Sequence, residues 1–122
     1  MAHVLVSLSE STRVGDVPIF SLRSDGSVTK GSAAAAAIDV QAFLGEWRER
    51  LQRIIAAKRE GWDQLRIASE TTCQPIYNFE VRLSDGEFRE FGVYAEPHHG
   101  AVLEDGTHLP AEIAELYAYC RR

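Results

Sequence analysis

The sequence has little cysteine and no long apolar run. Two cysteines, Cys73 and Cys120, stand among 122 residues, which is too few for a disulfide scaffold and is typical of a reducing compartment. A membrane-spanning helix needs about 20 apolar residues, so we expect no contact with a membrane. The first eight residues lack the basic start and the apolar core of an export signal. These features together predict a cytoplasmic protein.

Basic residues are also in the minority. The chain carries 13 lysines and arginines against 18 acidic residues, a net charge of −5. Nine acidic residues but only four arginines follow residue 79, so the excess of negative charge lies in the last third. An acidic surface repels the phosphates of nucleic acids and attracts basic proteins. We therefore expect a protein partner and no nucleic acid.

The overall composition is that of a globular domain. Hydrophobic residues make up 45% of the chain and charged residues 25%, as in ordinary folded domains of this size. Such a chain buries enough surface to fold without a metal ion or cofactor. We predict a single domain over residues 1–122 with no cofactor, and the sequence leaves its oligomeric state open.

Helical spacing of apolar residues predicts one long helix over about 40–59. The apolar positions are Val40, Phe43, Leu44, Trp47, Leu51, Ile54 and Ile55. Asp39 suits the N-cap, and Gly61 stands where a C-cap glycine ends a helix. Pairs such as Glu46 with Arg50 suit its exposed face. Gly45 costs about 1 kcal/mol relative to alanine and indicates a close approach of another backbone.

Two alternating runs predict a β-hairpin; they are residues 76–83 and 88–95. Pairing Phe79 with Phe91 keeps the apolar sides of both strands together. A three-residue turn with a left-handed Gly86 gives this register, whereas a two-residue turn sets Val81 opposite Glu90. We therefore predict the three-residue turn.

The remaining elements complete an α+β fold. Strands are expected near residues 4–8, 17–23 and 62–69, and Pro110 begins a C-terminal helix of about 110–121. Residues 9–15 are predicted to form a loop, and the alanine run at 33–37 either begins a helix or connects two elements. The prediction is a mainly antiparallel sheet of about five strands, packed by the long central helix and the C-terminal helix.

Candidate catalytic groups have weak signals. His98, His99 and His108 lie near acidic residues, so a metal or ligand site there is conceivable, but their spacing matches no metal motif. Cys73 and Cys120 have no neighbouring base and are interpreted as structural. We predict no catalytic residue and no metal site.

Two other groups are candidates for binding. The central helix carries a basic face that consists of Arg48, Arg50, Arg53, Lys58 and Arg59. A nucleic acid can contact such a face, but we interpret it as a helix surface exposed to solvent. Phe88, Tyr94 and Tyr119 fall off the predicted core faces and are candidates for an interface, with packing under a second layer as the alternative.

Part of the chain resembles a family of bacterial antitoxins. The resemblance lies in the tryptophan helix at 43–47, the Gly61-Trp62-Asp63-Gln64-Leu65 segment and the aromatic hairpin around Asp85-Gly86. The resemblance covers about 75 residues from Phe43 onward. This part of the chain is similar to immunity proteins of polymorphic toxins, especially YezG-like antitoxins. The resemblance implies a cytoplasmic, non-catalytic protein that binds a cognate toxin.

The leading hypothesis is therefore an immunity or antitoxin-type protein, not an enzyme, that covers the active site of a toxin. Many such toxins are basic nucleases, which an acidic surface attracts. The candidate contact residues are Glu80, Glu87, Glu90, Glu96, Glu104 and Asp105. The alternatives are a small enzyme or ligand-binding domain with a site near His98, His99 and His108, and a subunit that self-associates through edge strands.

Overall fold

The computed structural model describes residues 2–57, 64–68 and 74–122. Its elements in chain order are β1 (Val4–Thr12), β2 (Gly15–Arg23), β3 (Val28–Lys30), β4 (Ala33–Ala35), α1 (Val40–Ala56), β5 (Gln64–Arg66), β6 (Ile76–Ser84), β7 (Glu87–Tyr94) and α2 (Ala111–Cys120). This is an α+β fold, as predicted. Neither of these helices has the length and apolar character that crossing a bilayer demands.

The described strands form one mixed sheet of seven strands, in the order β4-β3-β2-β1-β6-β7-β5. β5 runs parallel to β7, and the other pairings are antiparallel. The expected number of about five strands was therefore wrong. The two additional strands, β3 and β4, have three residues each, which is too short to show the alternation by which strands are recognised.

Two segments predicted to lie outside strands belong to the sheet. Residues 9–12 extend β1, and the hairpin to β2 turns at Arg13 and Val14. Part of the alanine run forms the edge strand β4, although alanine favours helices. The run pairs with β3 because the tight turn after Lys30 returns the chain alongside it. Tertiary pairing overrides local propensity here.

Helix α1 begins as predicted and ends earlier. The Asp39 carboxylate accepts hydrogen bonds from the backbone N–H groups of Gln41 at 2.9 Å and Ala42 at 3.3 Å, which makes Asp39 the N-cap. The last helical residue is Ala56, and Ala57 has an extended backbone with φ −61° and ψ 119°. The predicted end at Arg59 and the predicted cap at Gly61 lie beyond this point, outside the described residues.

The core lies between the two helices and one face of the sheet. Phe79 and Phe91 stack at the centre of the sheet with ring centroids 5.0 Å apart. Trp47 and Leu51 of α1 are buried in the same core, as the helical spacing predicted. α2 adds a second buried stripe that consists of Ile113, Ala114, Leu116, Tyr117 and Cys120.

The β6–β7 hairpin has the predicted register but a different turn. Phe79 pairs with Phe91, and Val81 pairs with Arg89. However, Ser84 pairs with Glu87, so the turn has two residues, and a register shift at Leu83 restores the parity of the strands. The bulge at Leu83 therefore keeps the apolar sides of the two strands together, which was the role expected of a third turn residue and a left-handed Gly86.

Gly45 lies on the exposed side of α1, where a Cβ atom would meet no described atom within 4 Å other than its chain neighbours and the backbone of its own helix. The expected close approach of another backbone was wrong. We predict that Gly45→Ala stabilises the protein by about 0.5–1 kcal/mol, because alanine loses less backbone entropy in a helix. Urea unfolding monitored by circular dichroism measures this change. A loss of stability would contradict the open environment of Gly45.

Candidate protein-binding site

The centre of the side of the sheet that faces away from the helices is polar. We call it the open face and define it by Ser7, Ser9, Ser11, Asn78, Glu80, Glu90 and Gly92, which alternate along their strands with core residues. Strand alternation explains this arrangement, because burying Phe79 and Val81 points Glu80 the other way. The core and the open face are therefore fixed by the same strands.

Two carboxylates stand directly opposite each other at the centre of the open face. Glu80 on β6 pairs in register with Glu90 on β7, a position that puts Cβ atoms about 5 Å apart. Neither forms an ion pair within 4.0 Å with any described residue. Like charges in this position destabilise a sheet by roughly 0.2–1 kcal/mol. The pair thus concentrates negative charge at a cost in stability.

A chain of hydrogen bonds brings a third carboxylate to the open face. The Asn78 side-chain amide donates to Ser11 Oγ at 2.6 Å, and the Ser11 hydroxyl donates to Asp16 at 3.0 Å. Asp16, Glu80 and Glu90 line one shallow groove of about 440 Å³ together with Ser7 and Ser9 of β1. Sequence reasoning missed Asp16, Ser11 and Asn78, although the alternating serines of residues 7–11 were a visible signal that β1 continues.

The other four predicted acidic contacts do not join this groove. Glu87 is exposed at the hairpin end of β7 and accepts a hydrogen bond from Ser84 Oγ at 3.3 Å. Glu96 is exposed beyond the other end of β7. Because β7 has eight residues, its two ends are about 23 Å apart. Each of these two acids lies at an end of the sheet and not at its centre.

Glu104 and Asp105 form part of a turn beside β5. The Glu104 N–H donates to the Arg66 carbonyl at 2.8 Å, which places the turn at the edge of the sheet. The Asp105 carboxylate accepts hydrogen bonds from the backbone N–H and the hydroxyl of Thr107 at 3.0 and 2.6 Å. Both acids are exposed, so they extend the negative surface without sharing the groove.

Arginines stacked on aromatic rings flank the open face. The Arg82 guanidinium lies 4.4 Å from the ring centre of Phe88, which is 47% exposed. At the other end of β7 the Arg66 guanidinium lies 4.1 Å from the ring centre of Tyr94. Cation–π contacts of this kind attract each guanidinium to the face of its ring. Phe88 and Tyr94 thus lie off the core, as predicted.

Tyr119 has a different environment from the other two aromatic candidates. Its ring lies 5.5 Å from Phe43, 5.4 Å from Trp47 and 5.8 Å from Phe20, measured between centroids. It therefore packs beneath α1, which was the alternative to an interface role. Burial raises the pKa of the Tyr119 hydroxyl above its usual value.

The three candidate histidines are exposed in the segment after β7. His98 Nδ1 lies 3.2 Å from the Glu96 carbonyl oxygen, and His108 pairs with Val102 in a minimal hairpin. Among residues 2–57, 64–68 and 74–122, no three His, Cys, Asp or Glu side chains are grouped closely enough to hold a metal ion.

The cysteine on α2 is buried. Cys120 is 3% exposed, and burial raises the pKa of its thiol to about 12, so it is protonated at neutral pH and is a poor nucleophile. This environment agrees with the structural interpretation of Cys120. Cys73 lies outside the described residues.

The basic side chains of α1 bind the second helix. Arg50 forms an ion pair with Glu115 at 3.4 Å, and Arg53 forms one with Glu112 at 3.2 Å. The predicted pair of Glu46 with Arg50 is not among the ion pairs of the described residues, in which Arg50 contacts Glu115 instead. Arg48 is exposed, whereas Lys58 and Arg59 lie outside the described residues.

Comparison with known proteins found no relative. No protein-family model, no curated protein and no solved structure matches the chain.

Proposed function

We propose that this protein is an immunity or antitoxin-type binding protein that neutralises a basic bacterial toxin in the cytoplasm. In this proposal the open face of the sheet covers the active site of a cognate toxin, which is a nuclease-type effector. The observation that carries the proposal is the Glu80–Glu90 pair, two like charges held opposite each other without a described cationic partner. A lysine or arginine from a partner removes the repulsion that the free protein bears.

The surroundings of the pair support a protein partner. The groove is shallow, and it offers carboxylates, hydroxyls and the amide of Asn78 across neighbouring strands. Such a surface can pair with several basic groups at once, and aromatic–arginine stacks at both ends of β7 supply the kind of side chain that anchors interfaces. A toxin whose active site binds phosphates presents the complementary positive charge.

The negative charge of the last third also favours rapid binding. Glu87, Glu96, Glu104 and Asp105 are exposed around the sheet and add to the field of the central groove. Fields of this kind accelerate the encounter of oppositely charged proteins, and the acceleration falls with ionic strength. These four residues therefore act on the association rate in this proposal, whereas Glu80 and Glu90 contact the toxin.

The test begins with affinity capture from the lysate of the host and identification of the captured protein by mass spectrometry. That protein is then purified, and its activity and its binding to the chain are measured. We expect a basic protein whose activity falls to zero at a one-to-one ratio. The double variant Glu80→Gln/Glu90→Gln should bind at least tenfold more weakly, mainly through a faster dissociation rate, because it loses contacts with the toxin.

The matched control is Glu46→Gln/Glu49→Gln, which removes the same charge from exposed positions on α1. It should bind as the wild type does. The Glu80→Gln/Glu90→Gln protein should unfold at the same or a higher urea concentration, because it loses a repulsion. Equal binding by the two double variants would refute the role of the open face, and a captured protein that keeps its activity would refute the immunity function.

A further inference from the structure

A cavity lies on the helix side of the sheet, away from the open face. It is enclosed by the strands β2, β3 and β4, the segment before α1 and the end of α2, and its volume is about 300 Å³. Its walls are mainly apolar and consist of Phe20, Val28, Ala35, Ala36, Ile38 and Tyr119. A volume of this size lies at the lower end of the range found for small-molecule sites.

Two cationic side chains line the same cavity. Lys30 Nζ donates a hydrogen bond to the backbone carbonyl of Arg122 at 3.3 Å, which leaves two of its three N–H donors for other acceptors. The Arg122 guanidinium lies 5.6 Å from the ring centre of Tyr119. None of the described side chains that line the cavity is acidic, so the anionic head of a ligand meets no acidic side chain on this wall.

We propose that this cavity binds a small anionic amphiphile, with its apolar body between the sheet and Tyr119 and its anionic head against Lys30 and Arg122. The apolar walls favour burial of a hydrocarbon or aromatic group, and the two cations select a carboxylate or sulfonate head over a neutral one. This site is independent of the proposed toxin-binding face, because the lining residues of β2 and β3 point to the opposite side of the sheet.

Strand β4 supplies a matched pair of positions for a test. Ala35 pairs with Val28 and lines the cavity, whereas its neighbour Ala34 pairs with Thr29 and lies on the other side of the sheet. Ala35→Leu therefore fills the cavity, and Ala34→Leu makes the same change outside it. Ala36→Leu is a second filling variant at an exposed position after the strand, where a larger side chain does not disturb strand pairing.

The probes are two fluorescent compounds with the same ring system. One is 8-anilinonaphthalene-1-sulfonate, which is anionic, and the other is N-phenyl-1-naphthylamine, which is neutral. We expect the wild type to bind one molecule of the sulfonate, at least tenfold more tightly than the neutral amine. Ala35→Leu and Ala36→Leu should each weaken the binding of both probes at least tenfold, and Ala34→Leu should leave both unchanged.

Charge removal tests the second half of the proposal. Lys30→Gln/Arg122→Gln should lower the affinity for the sulfonate about tenfold and leave the affinity for the neutral amine unchanged. Arg13→Gln/Arg48→Gln, which removes equal charge elsewhere, should alter neither. Equal affinities of the wild type for the two probes would overturn the proposal. So would probe affinities of Ala35→Leu and Ala36→Leu that both equal those of Ala34→Leu. Binding of several sulfonate molecules per folded protein, with no site tighter than the others, would also overturn it.

Discussion

Gly26→Ala is expected to lower the free energy of unfolding by about 2–4 kcal/mol. Gly26 has a φ of +89°, in the region that L-amino acids disfavour, and a Cβ atom there would lie 2.6 Å from the Ile38 carbonyl oxygen. The oxygen belongs to the backbone and cannot move aside freely, since the Ile38 N–H donates to the Gly26 carbonyl at 3.0 Å. Equilibrium unfolding in urea measures the loss.

Gly31→Ala separates the two causes of this loss. Gly31 also has a positive φ, +62°, but a Cβ atom there meets no described atom within 4 Å other than its chain neighbours. We expect its replacement to cost about 1 kcal/mol, which is the backbone cost alone. Equal losses in the two variants would show that the contact with Ile38 does not constrain the turn between β2 and β3.

Phe79→Ala is expected to cost about 3–5 kcal/mol, because it removes a large buried ring and leaves a cavity. Phe79 is 2% exposed and stacks on Phe91 in nearly parallel rings, with an interplanar angle of 7°. A domain of this size has a total stability of roughly 5–15 kcal/mol. Chemical denaturation is therefore expected to show a much lower midpoint, or an unfolded protein at 37 °C.

Phe88→Ala is the matched control in the same hairpin. Phe88 is 47% exposed beside the open face, and its loss removes mainly the stack with Arg82. We expect a cost below about 1 kcal/mol. Similar costs for the two phenylalanines would mean that the sheet buries both faces, and the open face would then not be available to a partner.

The local elements were predictable because their signals are local. The apolar stripe of α1 and its Asp39 cap needed only the spacing of nearby residues. The pairing of Phe79 with Phe91 followed from the alternation of two adjacent strands. The turn between them was predicted wrongly. A bulge at Leu83 and an extra turn residue both put the apolar sides of the two strands together, so the alternation of residues does not distinguish them.

The candidate site was predictable only in part. Glu80 and Glu90 were chosen as candidates for their charge and their position on the hairpin, and they lie opposite each other in the sheet. Glu87, Glu96, Glu104 and Asp105 were grouped with them by sequence proximity, yet they lie at the ends and edge of the sheet. Charge counts along a chain do not indicate which acids share a groove, since that depends on the positions of strand ends.

By itself, the sequence determined the α+β class, the long helix, the hairpin register and the excess of negative charge in the last third. Only the tertiary structure decided that β1 lies beside β6, that the alanine run forms an edge strand, and that Asp16 reaches the central groove through Ser11 and Asn78. Helices and hairpins depend on neighbouring residues, whereas these pairings join residues as far apart in the chain as Val6 and Val81. Many alternative pairings of such segments satisfy the same alternation, and the packing of the whole core selects one of them.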